Sequence, residues 1–247
     1  MDVIARPSVT PRSAAAPDVE YFEDFLQGGY VADAALSAES DPAAKFSMVA
    51  DAGEWFVTRT ATGTPTLTVL DDGANGYLKI LNGTADNDLT NLQLNGESFK
   101  LRAGKMLVFE SKFNITDLTY GEFFIGLSIT DTAIMGTYVT SGSSDHIGFA
   151  MLSAGPSLLY AVDKDNAGTD SSVDTGIDLV DATDVTVRIE IDGISVARFY
   201  VDGVLVGTDT ANLPDNEAMT PTVELRNYGG TTAAIMNIDY IRVAANR

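Results

Sequence analysis

The chain has 247 residues, 45% hydrophobic and 20% charged, with no cysteine and one histidine, His146. That excludes wholesale disorder, disulfide staples, thiolate metal sites and any mechanism needing two imidazoles. With 15 basic against 35 acidic residues the net charge is −20, so the chain repels phosphate, and neither nucleic acid nor anionic lipid is an expected partner.

Residues 1–20 carry Pro7, Pro11 and Pro17 among Ser, Thr and Ala. Proline favours extended backbone and there is too little apolar surface for a core, so this stretch reads as an extended N-terminal arm. Arg6 and Arg12 lie in it. Guanidinium groups make bidentate contacts to carboxylates, which makes these two the candidate partner-binding residues. Residues 1–7 show no basic segment leading into an apolar one, and no apolar run approaches the ~20 residues that span a bilayer. Neither a secretory leader nor membrane contact is expected.

Residues 21–247 read as one domain. Tyr21-Phe22-Glu23-Asp24-Phe25 suits a first strand, and residues 32–39 suit one or two helical turns closed by Pro42. From Glu54 onward, short β-branched and aromatic runs alternate with Gly, Asn and Asp. Candidate strands cover 54–60, 64–70, 77–81, 89–94, 105–114, 123–129, 146–151 and 158–162. Later in the chain, Val185, Val187, Ile189 and Ile191 take every second position around Thr186, Arg188 and Glu190. Period two puts one face in a core and the other in water. Phe199-Tyr200-Val201 and Val204-Leu205-Val206 flank Asp202-Gly203, a pair suited to the two positive φ angles of a type I′ hairpin. Strands over 220–227 and 234–243 complete the set. Many strands, no long helix and no βαβ alternation predict an all-β, two-sheet antiparallel sandwich.

The run RIEIDGISVARFYVDGVLVGT over 188–208, the final Asn237-Ile238-Asp239-Tyr240-Ile241-Arg242-Val243 and the early Glu23-Asp24-Phe25 resemble the closing and opening strands of the concanavalin A-like, or laminin-G-like, jelly roll. That resemblance covers roughly residues 20–244. It implies a sandwich whose first strand pairs beside the last. It does not imply an activity, because the fold hosts lectins, glucanases, adhesion modules and virion proteins.

Function must therefore come from a site. Retaining glucanases of the superfamily carry E-x-D-x-x-E on one strand, and alternate residues share a face, which sets the two carboxyls ~5 Å apart. Glu190-Ile191-Asp192 lacks the second glutamate, and Glu110 and Asp131 have no partner at the needed offset. These read as solvated strand faces, and no enzyme is expected. His146 suits the start of a strand, and Trp55 suits a core anchor. Tyr120, Tyr138 and Tyr228, next to glycines, are the aromatics best placed for exposure to a sugar.

One metal candidate remains. Asp163-Lys164-Asp165-Asn166-Ala167-Gly168 partly follows the order of a calcium loop, with Asp170 further on and Asp174 at the twelfth position. Ala167 replaces an acidic ligand, and an Asp/Asn/Gly-rich hairpin turn explains the run as well. Apart from possible calcium, no cofactor is expected. Asn82-Gly83-Thr84 and Asn114-Ile115-Thr116 are formal glycosylation sequons, read as coincidental.

The whole-chain texture also resembles jelly-roll proteins among the structural genes of tailed bacteriophages, including capsid decoration, or cement, proteins. The similar elements are the opening Glu23-Asp24-Phe25, Gly53-Glu54-Trp55, Asp86-Asn87-Asp88 before Leu92-Gln93-Leu94, and residues 105–112. This resemblance implies a non-enzymatic virion protein on the capsid surface, made in the host cytoplasm. Its partners would be the major capsid protein and copies of itself in a homo-oligomer. The alternative is a lectin-like carbohydrate-binding module, from a virion fibre or a bacterial surface.

Overall fold

The computed structural model describes residues 17–25, 44–46, 55–60, 66–70, 76–131, 134–135, 145–152, 157–165, 171–229 and 232–246. The described residues form two antiparallel sheets packed face to face. The eight-stranded sheet runs β15 (Val204–Asp209), β14 (Val196–Val201), β13 (Val185–Asp192), β8 (Met106–Ile115), β17 (Ile235–Ala245), β5 (Tyr77–Leu81) and β4 (Thr66–Leu70). In it β1 (Val19–Glu23) also pairs with β17. The nine-stranded sheet runs β12 (Ser171–Asp178), β11 (Leu158–Lys164), β10 (His146–Met151), β9 (Gly121–Ser128), β16 (Ala218–Asn227), β6 (Leu89–Leu94), β3 (Trp55–Thr60) and β2 (Ala44–Phe46). The short β7 (Phe99–Lys100) adds to β16.

The alternation in β13 and β14 does what period two requires. Val187, Ile189, Ile191, Phe199 and Val201 are all buried. Asp202 and Gly203 turn the β14–β15 hairpin with φ of 47° and 79°, the left-handed pair a type I′ turn needs. Two aromatic pairs cross between the sheets. Phe113 of β8 meets Phe123 of β9 at 5.1 Å, and Phe149 of β10 meets Phe199 of β14 at 5.6 Å, both edge to face. Trp55 is wholly buried in the same core.

β17 organises the eight-stranded sheet. One edge pairs with β8 along nearly its full length. The other is divided, Ile235–Ile238 pairing with β5 and the second half with β1. The first strand therefore lies beside the last, as the resemblance implied. It starts at Val19, so the last two residues assigned to the arm belong to the sheet, and Glu20 accepts a hydrogen bond from Arg242 Nε at 2.8 Å.

Three strands lie outside the sequence expectation, Ala44–Phe46 forming β2 among them. Residues 171–178, not among the expected strands, form β12. Phe99–Lys100 form β7. The helix expected over 32–39 lies outside the described residues.

Candidate binding site

On β16 the inward residues are Met219, Val223 and Leu225, which leaves Thr220, Thr222, Glu224 and Arg226 on the outer face. Pairing places Asn91 and Gln93 of β6 on one side of them and Glu122, Phe124, Gly126 and Ser128 of β9 on the other. Outward polar residues of a sheet usually meet water. Here they are buried, Glu224 completely.

The reason is a strap made by the chain itself. After β9 the backbone crosses back over this face. Ile134 and Met135 donate their N–H groups to the two oxygens of Glu224 at 2.7 and 2.8 Å. Asn91 Nδ2 donates a third hydrogen bond at 2.7 Å. The side chains of Ile134 and Met135 pack with Phe124, Ala150 and Val162 in a small second apolar cluster. Gln93 ties the start of the strap: its Nε2 donates to the Ile129 carbonyl, and its Oε1 accepts from Asp131 N–H, both at 3.0 Å. Burial pushes the Glu224 carboxyl up to about 7, against the pull of its three donors and of Arg226. Arg226 is itself held by Glu122, Nε to Oε2 at 2.6 Å.

Beneath the strap, Gly126 and Gly148 face each other across β9 and β10. A Cβ on Gly126 would lie 2.3 Å from the Ile147 carbonyl oxygen. The two backbones approach so closely that no side chain fits between them.

A second feature is open. On the outer face of the eight-stranded sheet a cleft of about 440 Å³ is lined by Glu110, Thr186, Arg188, Glu190, Tyr200, Asp202, Gly203 and Tyr240. β8 and β13 are neighbours and put Arg188 opposite Glu110. Tyr240 Oη donates to Glu110 at 2.8 Å, Arg188 pairs with Glu190, and Tyr200 Oη donates to Glu190 at 3.2 Å. Burial, and then the charge of Glu110, raise the Tyr240 phenol well above its ordinary range. The cleft offers two phenol groups, three carboxylates and one guanidinium; Glu110 and Glu190 are already bonded to the phenols and to Arg188, and Asp202 accepts the Thr186 N–H.

The expectation that Glu110 and Glu190 sit on solvated faces needs correction. Glu110 is buried and Glu190 half-buried, and Arg188 links them although 80 positions separate them in the chain. Sequence spacing carries no trace of that contact, because it depends on which strands become neighbours. Tyr200 and Tyr240 were missed as site residues for the same reason.

The calcium-loop candidates do not converge. Asp163 is buried and faces inward at the end of β11, while Asp174 is exposed on the opposite face of β12, across from Tyr160. Asp174 accepts the Gly176 N–H in a local turn. Asp165 accepts two hydrogen bonds from Asn216 Nδ2. Asp170 lies outside the described residues, as do Arg6, Arg12 and Tyr138. Among the described residues no three His, Asp or Glu side chains are grouped to hold a metal ion. Of the remaining candidates, Tyr228 is exposed and Tyr120 half-buried. His146 begins β10, buried edge to face against Phe124. Asn82 is buried and donates to two backbone carbonyls, so its sequon is closed to a glycan in the folded chain.

No family model and no curated protein sequence matches the chain. Solved structures do. A protein of unknown function from Shewanella oneidensis MR-1 aligns over 98% of this chain and 96% of its own, at 15% identity and a TM-score of 0.57. A Bacillus licheniformis β-glucanase aligns over 92% and 98%, at 12% identity and 0.57. The Emp46p carbohydrate recognition domain aligns over 77% and 88%, at 10% identity and 0.53. The chain has the concanavalin A-like jelly-roll fold. At these identities the likeness establishes that architecture and leaves catalysis undecided. In this jelly roll, no strand of the nine-stranded sheet carries two carboxylates two positions apart.

Proposed function

We propose that this jelly roll is a non-enzymatic virion structural protein, a decoration protein that stabilises the capsid of a tailed bacteriophage. One observation carries the reading: around Glu224 the outer face of the nine-stranded sheet is covered by the chain's own residues Ile134 and Met135. An acid–base or sugar site needs accessible, uncommitted carboxylates in a concavity. Glu224 and Glu122 are instead tied to the strap and to Arg226. A protein that works through area and shape gains from such rigidity and needs no free reactive group. A net charge of −20 disfavours unspecific association. The partners in this reading are the major capsid protein and further copies of the chain, with Arg6 and Arg12 of the arm meeting acidic surfaces.

The test is co-sedimentation with capsids of the phage whose structural genes flank this one, followed by thermal rupture of decorated and bare particles. Decorated shells should rupture at higher temperature. Failure to co-sediment with any shell form removes the reading.

A second reading, glycan binding, is favoured by the open cleft with Tyr200 and Tyr240. Phenol rings and carboxylates suit stacking on and hydrogen bonding to a neutral sugar. A glycan array on wild-type protein and Tyr200→Ala separates the two. Selective binding lost in the variant supports the module, and an empty array removes it.

A further inference from the structure

The open cleft on the outer face of the eight-stranded sheet has an anionic floor. Glu110 lines it although only 4% exposed. Its Oε1 accepts the Tyr240 hydroxyl at 2.8 Å, while Oε2 has Arg188 Nη1 at 3.9 Å, beyond hydrogen-bond distance. Arg188 is drawn the other way, its Nη2 paired with Glu190. One guanidinium therefore serves two carboxylates, and a nearly desolvated oxygen in the cleft is left without a donor, a costly state for a charged group. Asp202, at the corner of the β14–β15 hairpin, adds a third carboxylate. Its Oδ1 accepts the Thr186 N–H at 2.9 Å, and no ion pair joins it among the described residues. Arg198 stands opposite Glu190 and Arg242 opposite Glu110, but neither lines the cleft, and Arg242 Nε is held by Glu20 at 2.8 Å.

The wall of the cleft is apolar and aromatic. Strand register sets Leu205 of β15 opposite Tyr200, on the same face of the sheet. Leu205 is 51% exposed and follows Val204 at 64%, two consecutive large hydrophobic residues open to solvent at the hairpin that closes the cleft. Floor and wall together have the division of a long basic side chain. Carboxylates meet a charged head, an apolar wall covers an aliphatic stem, and a phenol ring attracts a cation. A neutral sugar can use the hydroxyl partners but leaves the excess negative charge unmet, and an anionic ligand is repelled. Arginine suits the site better than lysine, because its planar guanidinium both forks onto carboxylates and stacks on an aromatic ring.

We propose that this cleft is a docking site for a basic side chain, arginine above lysine, presented by a partner polypeptide. The head meets Glu110 and Asp202, and the stem crosses Tyr200 and Leu205. This occupant differs from the sugar of the second reading and does not depend on the capsid reading.

The experiment titrates the full isotope-labelled chain at neutral pH with blocked Gly-X-Gly tripeptides in which X is arginine, lysine or citrulline, and follows the amide resonances. Citrulline keeps the shape of arginine and lacks its charge. Expected are shifts confined to the amides around Thr186, Tyr200, Gly203 and Leu205, strongest with arginine, weaker with lysine, absent with citrulline and reduced by salt. Asp202→Asn tolerates the left-handed φ of that corner and keeps an acceptor for Thr186, and Leu205→Ser changes an exposed side chain, so both variants should fold. Each should weaken arginine binding about threefold or more, and Glu110→Gln should weaken it further. An equal response to arginine and citrulline overturns the proposal, as does unchanged affinity in both Asp202→Asn and Leu205→Ser. So does the absence of shifts at these amides. A neutral oligosaccharide that moves the same amides when the arginine peptide does not overturns it too, and leaves the sugar reading standing. Arginine binding without sugar binding does the reverse.

Discussion

Replacing Glu224 by glutamine tests whether one carboxylate holds the strap. The wild-type carboxylate accepts three buried N–H groups, from Asn91, Ile134 and Met135. Glutamine keeps one acceptor oxygen and turns an NH₂ toward the remaining donor. One buried donor loses its partner, at about 1–3 kcal/mol, or roughly 3–10 °C in melting temperature for a domain of this size. A second signature is pH dependence. The folded chain holds the Glu224 proton up to about 7, against 4.5 for an ordinary glutamate. Between those values the native state keeps a proton that the unfolded chain has released, so wild-type stability falls as pH rises through that window. At ~1.36 kcal/mol per pH unit, the fall is at most about 3 kcal/mol. Glutamine does not titrate, so the stability gap between wild type and variant should narrow from pH 5 to 7.5. Urea unfolding across that range measures the gap, and hydrogen exchange at the Ile134 and Met135 amides reports the strap, with about tenfold faster exchange expected in the variant. A gap independent of pH, together with unchanged protection of the two amides, would refute the assignment of the strap to Glu224.

Gly126→Ala should cost about 3 kcal/mol or more in chemical denaturation, because its Cβ would press on the Ile147 carbonyl and the Gly148 Cα, both backbone. Gly203→Ala, with open space around its Cβ and only a left-handed φ against it, should cost about 1 kcal/mol; equal losses would mean that β9 and β10 can spread. No turnover of β-glucan is expected, and turnover that disappears in Glu190→Gln would overturn that. Deleting residues 1–16 should leave the melting temperature unchanged while weakening capsid binding. Deletion through residue 20 should lower it, because Val19 and Glu20 belong to β1 and Glu20 holds Arg242.

Much of the fold was legible wherever one face of a strand is wet. Val185–Asp192 shows clean alternation because its even positions reach the surface or the cleft, and Asp202-Gly203 marks its turn by local stereochemistry alone. β12 was illegible for the opposite reason. Ser171, Ser172 and Asp174 have turn chemistry, and only pairing with β11 makes the segment a strand. The sites were harder still. Thr222-Val223-Glu224-Leu225-Arg226 alternates like any half-exposed strand, and nothing in those five residues tells that a strap will cover Glu224. Asp163 looked like the first ligand of a local loop, whereas it is buried near the end of β11, paired with Ser171 of β12. Local patterns report which side of a strand is apolar. They do not report what later lies over the other side.

The divided edge of β17 has a consequence for synthesis. β8, β5 and β1 are all made well before Ile235–Ala245, yet each finds a neighbour in it. Until those residues leave the ribosome, the eight-stranded sheet lacks its middle, and three earlier strands carry unsatisfied edges. Assembly of that sheet therefore waits for β17 and is dominated by distant pairings, a slow class of folding reaction. A chain cut before Ile235 would present open sheet edges to its neighbours in the crowded cell, and self-association would compete with degradation for it.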